Sequence, residues 1–148
     1  MAVKQLSGSL QAPDGSYYVT ITDGNGNLAG SSPTPAGATM ITASATGTTS
    51  ATTATLPGVS GKTTYLAGFT ILANATAAAT GNATVTGTIT GTLNFTQWTA
   101  PLASGIGIVQ PVIGTPIPAS GTNQAIAVVS AAPGAGGTVS VTAWGYQI

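Results

Sequence analysis

The sequence predicts an all-β chain: an antiparallel β-sandwich preceded by an extended N-terminal arm. Three observations carry this. The hydrophobic period is two rather than 3.6. Thr, a β-branched residue that suits a pleated surface, supplies 27 of 148 residues. Gly and Pro clusters punctuate the apolar runs at roughly the 8–12-residue spacing of antiparallel sandwiches and barrels. No segment carries a convincing helical pattern, and the alanines of Ala73–Ala79 form a run too short for a stable isolated helix.

Residues 1–56 read as an arm or hairpin followed by a Thr/Ser/Ala-rich stretch. Asp14-Gly15 and Asp23-Gly24-Asn25-Gly26-Asn27 are turn signals around the short alternating run Tyr17–Ile21. Within that run Tyr17, Tyr18, Val19 and Ile21 are the candidate partner-binding residues of the arm. Residues 30–37 (GSSPTPAG) resemble a linker. Thr39–Thr55 has few large apolar groups and a weak period of two. It fits an extended segment on a partner, a strand, or a partly flexible tract. A boundary is expected near Leu56-Pro57-Gly58, with residues 57–148 forming the sandwich.

Within 57–148 the strand candidates follow in order. Thr63–Leu72 alternates loosely around Tyr65, Ala67, Phe69 and Ile71. Thr84–Thr96 places Val85, Gly87, Ile89, Gly91, Leu93 and Phe95 on one face and Thr or Asn on the other. It exceeds the usual strand length, so a break near Gly91 is expected. Ile106–Val112, except for Gln110, and Ala125–Val129 are apolar on both faces and read as buried strands. Thr138–Ile148 alternates again, but its even positions change character: Thr138, Ser140 and Thr142 give way to Trp144, Tyr146 and Ile148. Such a change means either cover by a loop or arm, or packing on an identical subunit. Aromatics are enriched in interface cores, so Trp144, Tyr146 and Ile148 are the candidate subunit interface.

Composition excludes chemistries. The charged side chains are Lys4, Asp14, Asp23 and Lys62, and Arg, Glu, His and Cys are absent. Disulfides, thiolate or imidazole metal ligands and a Ser/His/Asp triad cannot be built. Two lysines are too few for a phosphate-contact nucleic-acid binder. Asp23–Asn27 looks like the start of a calcium loop but lacks further carboxylates. Asp14 and Asp23 as a glycosidase pair would both sit in turn dipeptides. No catalytic, cofactor or metal residue is therefore expected, and the chain reads as a non-enzyme. No apolar run is long enough for a transmembrane helix, and the N-terminus lacks the apolar core of a signal peptide. The sequons at Asn74, Asn82 and Asn94 accordingly read as chance in a Thr-rich chain.

Several segments carry a resemblance. Tyr65-Leu66-Ala67-Gly68-Phe69-Thr70-Ile71, the Thr comb into Leu93-Asn94-Phe95, Pro116–Ile126 and the ending Val141–Ile148 resemble small β-rich virion proteins of tailed bacteriophages. Pro13–Leu28 is similar to extended arms in proteins of this kind. The resemblance implies a jelly-roll-like sandwich, a homotrimer, and a place on the capsid or tail. The expected function is capsid decoration (cement), with the major capsid protein as partner and the virion surface as location after synthesis in the host cytoplasm. The alternative is a tail-fibre or head-fibre module that binds a receptor or carbohydrate, with Trp98 in Gln97-Trp98-Thr99 as the candidate ligand contact.

Overall fold

A computed structural model describes residues 34–35, 37–75, 79–100 and 105–148, with backbone alone at 75, 79, 96–100 and 105–108. Among the described residues nine strands form: β1 Thr39–Gly47, β2 Thr52–Leu56, β3 Thr64–Ala75, β4 Ala79–Thr88, β5 Gly91–Ala100, β6 Gly105–Val109, β7 Ile117–Pro118, β8 Ile126–Ser130 and β9 Thr138–Gln147. No helix occurs among the described residues. Tyr17, Tyr18, Val19 and Ile21 lie outside the described residues.

Among the described residues all pairings are antiparallel. One sheet, here sheet 1, runs β1-β9-β3-β6, with β7 added beside β6 on the same side of β3. Sheet 2 runs β2-β8-β4-β5. Their inner faces share one core. Leu66, Phe69, Ile71, Val139, Val141 and Ala143 come from sheet 1; Ala54, Leu56, Val85, Ile126 and Val128 come from sheet 2. Phe69 meets Phe95 across this core edge to face, with ring centroids 5.0 Å apart, the arrangement favoured by the aromatic quadrupole.

One compact unit runs from Gly37 to Ile148. The boundary expected near Leu56-Pro57-Gly58 therefore falls inside it. β1 pairs along its whole length with β9, and β2 with β8. The Thr/Ser/Ala tract belongs to the sandwich because Thr and Ala alternate well enough to serve as strands once distant partners supply the apolar contacts. In β2, Thr52, Ala54 and Leu56 are buried while Thr53 and Thr55 face out.

Two other expectations are refined. The Thr84–Thr96 comb is split between β4 and β5, with the turn at Ile89-Thr90 and positive φ at Gly87 and Gly91. Thr88 Oγ1 donates to the Gly91 carbonyl at 2.6 Å and ties the turn. Ile89 thus leaves the apolar face and is 65% exposed at the tip. Likewise β6 ends at Val109, which is buried, while Val112 lies beyond it and is exposed.

A β-bulge in β3 positions the surface described next. Leu66 pairs with Gly145 and Gly68 with Trp144, so Ala67 is the extra residue. Before the bulge, Thr64 and Leu66 point inward; after it, Phe69, Ile71 and Ala73 do. The parity of the strand reverses, and Tyr65 is left on the outer face, opposite in sense to Phe69.

Candidate interaction face

The outer face of sheet 1 can be built row by row, because residues opposed across antiparallel strands point to the same side. At one end Thr63 and Ile148 exchange backbone bonds, Thr63 N–H to Ile148 O at 2.8 Å and the reverse at 3.2 Å. The next row is Met40, Tyr146, Tyr65 and Pro118 across β1, β9, β3 and β7. It continues to Ile89, whose N–H donates to the Pro118 carbonyl at 3.0 Å. The third row is Thr42, Trp144 and Gly68. Beyond it the rows become hydroxylic: Ser44, Thr142 and Thr70, then Thr46, Ser140 and Leu72. Thr46 and Ser140 share a hydroxyl hydrogen bond of 3.0 Å. Leu72 is the apolar exception in this half.

The structure brings Trp144, Tyr146 and Ile148 to one end of that face. It does so because β9 keeps one parity throughout, so the even positions stay outside from Thr138 to Ile148. Tyr146 stacks on Tyr65 with ring centroids 4.9 Å apart and planes 16° apart. Burial first, and then electrostatic repulsion from the neighbouring Tyr65, raise the Tyr146 pKa above the ordinary phenol value. Trp144 packs down on Gly68: a Cβ there would lie 2.5 Å from indole Cζ2 and 2.6 Å from Cε2. Gly68 is therefore required by the close approach of the ring to the strand.

The exposed part of the band is formed by Met40, Ile89 and Ile148, at 57%, 65% and 46%. Lys62 stands at its margin, donating from Nζ to Thr39 Oγ1 at 3.2 Å. Behind the band the backbone is firmly held. Gln147 turns inward and donates to the Pro57 carbonyl at 2.7 Å, which also accepts from Thr64 Oγ1 at 2.9 Å. The loop before β3 and the C-terminus are thus tied together, and the band rests on a fixed support.

Sequence pattern alone does not single out Met40, Tyr65, Pro118 or Ile89 for this face. Met40 sits in a tract whose alternation is weak, and Tyr65 is misassigned to the core face unless the bulge is known. Ile89 reads as a strand residue within the comb. Trp98 belongs to β5, but its side chain lies outside the described residues. Among the described residues no group of three or more His, Cys, Asp or Glu is assembled.

The outer face of sheet 2 differs. Its rows are Thr53, Val129, Thr84 and Asn94, and then Thr55, Ala127 and Thr86. Hydroxyl and amide groups dominate, and no aromatic side chain is described there.

No protein-family model, curated protein or solved structure matches this chain.

Proposed function

We propose that this protein is a capsid decoration protein of a tailed bacteriophage. It stabilises the head from outside as a homotrimer of jelly-roll sandwiches bound to the major capsid protein. The observation that carries this reading is the apolar band of Met40, Trp144, Tyr146 and Ile148. It is bounded by hydroxyl groups, on a sandwich with no charged side chain after Lys62. Apolar patches with polar rims mark protein contacts. A charge-free face suits recognition by shape and burial.

The strand pairing supports the jelly-roll part. With β7 set aside, β1 pairs β9, β2 pairs β8, β3 pairs β6 and β4 pairs β5. These are nested pairs, as in one long hairpin folded on itself. Rolling that hairpin would bring β9 beside β3 and β8 beside β4, the remaining contacts, as expected for the eight-strand double-sheet arrangement of a jelly roll.

The role is mechanical and uses no catalytic side chain. Buried apolar area supplies the affinity, repetition over the shell multiplies it, and contacts made only in the assembled shell stabilise that shell by mass action. Immunogold labelling of native particles tests the assignment. Dense labelling over the whole head is expected; labelling confined to the tail or to fibre tips would refute it and favour the receptor-binding alternative.

A further inference from the structure

We propose that the outer edge of β1 receives residues 17–22 of a second copy as an added antiparallel strand. The inference rests on the homotrimer in the function proposed above and identifies where its arm docks.

The four edges of the two sheets are treated differently. Exposed edges template unwanted pairing, and proteins blunt them with short strands, prolines, bulges or charges. β2 has five residues and is followed by Pro57. β6 has five residues, with Pro111 two positions on, and shares its side of β3 with β7. β5 is long, but its pairing with β4 is broken by two register shifts. β1 has none of these devices. It runs nine residues, TMITASATG, without a charge or a proline, in unbroken register with β9. Among the described residues its backbone makes no hydrogen bond beyond that ladder. Its inward side chains Ile41 and Ala43 are only partly covered by the core. An added strand would complete that cover.

The occupant is chosen by pattern and charge. Residues 17–22 alternate as β1 does, with Tyr17, Val19 and Ile21 apolar and Thr20 and Thr22 hydroxylic. Antiparallel pairing sets Ile21 opposite Ile41, Val19 opposite Ala43 and Tyr17 opposite Ala45. The other face then pairs Thr22, Thr20 and Tyr18 with Met40, Thr42 and Ser44, which extends the surface already described. This register also sets Asp23 opposite Thr39. Lys62 waits there, the one charged side chain among the described residues, already bonded to Thr39. A parallel strand would lose that ion pair. Residues 24–38 span up to about 50 Å when extended, enough to reach a neighbouring copy. The homotrimer proposed above makes another copy the recipient, and such head-to-tail exchange closes into a ring of three.

The chain has no cysteine, so single thiols report directly. Thr42 and Thr53 are both exposed and their replacement leaves the core untouched. Full-length T20C and T42C proteins are mixed, oxidised and run on non-reducing gels. A covalent heterodimer is expected, and the T20C/T42C double variant should give closed trimers. Pairing T20C with T53C, on the other sheet, should give no cross-linked species. A double variant that cross-links only within one chain would overturn the proposal in favour of the copy's own arm. Absence of any cross-link would overturn strand addition at β1. The readout uses purified protein without shells, so loss of head labelling and loss of the cross-link are separate failures. An intact trimer by sedimentation without the cross-link would refute the docking site and leave the trimer standing.

Discussion

The outer faces of the two sheets are made from the same residue supply and end as different surfaces. On sheet 2, Thr53, Thr55, Thr84, Thr86 and Asn94 surround Val129 and Ala127. On sheet 1 the hydroxyls stop at Thr42 and Thr142, and an aromatic and aliphatic band takes over. Sheet 2 shows how a strand face meets water without charge: Thr combines β-propensity with a solvated hydroxyl. Nothing in the strand architecture requires Met40, Tyr65, Trp144, Tyr146 and Ile148 to depart from that solution. The departure is local and is backed by two glycines. Gly68 admits the indole, and Gly145 lets β9 approach the Tyr65 carbonyl.

The comparison breaks most sharply at Gly145. A methyl there collides with the Tyr65 carbonyl and presses Leu56 Cδ1 at 3.3 Å. The G145A protein should lose about 3 kcal/mol in denaturant unfolding, the upper range for overpacking. Gly68→Ala acts on the surface rather than the core. The indole must lift off the strand, so tryptophan fluorescence should shift to the red, with a loss of about 1–2 kcal/mol. Thr52→Val should work in the opposite direction. Thr52 is buried and its hydroxyl has no partner, so removing that polar group without changing shape should raise stability by about 1 kcal/mol. The smallest effect belongs to pH. The folded state raises the Tyr146 pKa and so holds the neutral phenol. Its contribution is full below the unfolded phenol value of about 10 and is lost as pH rises through the higher folded value. Wild-type stability should therefore drop in that alkaline window, and the drop should be smaller in Y146F.

Much of the fold follows from local pattern. The even face of Thr138–Ile148 could be followed to Trp144, Tyr146 and Ile148 because side chains alternate strictly and β9 has no bulge. Where a bulge or turn intervenes, the pattern misleads. Ala67 reverses the parity of β3 and moves Tyr65 to the outside. The Ile89-Thr90 turn takes Ile89 out of a face that alternation assigned to the core. The place of β1 and β2 in the sandwich is equally hidden, since their partners lie 70 to 108 residues away, and Thr/Ala alternation states no partner. Sparse charge could be read from composition, but not that Lys62 stands at the tip of an unblunted edge.

If the apolar band of sheet 1 is a contact surface and the hydroxyl face of sheet 2 is not, charge should disrupt assembly on the band alone. Sedimentation equilibrium of the full-length protein tests it, comparing wild type with M40K/I148K on the band and T53K/T55K on sheet 2. All four positions are exposed, so folding is retained. Trimers are expected for wild type and for T53K/T55K, insensitive to salt, and monomers for M40K/I148K. A wild type that stays monomeric, or an M40K/I148K protein that assembles as the wild type does, would contradict it.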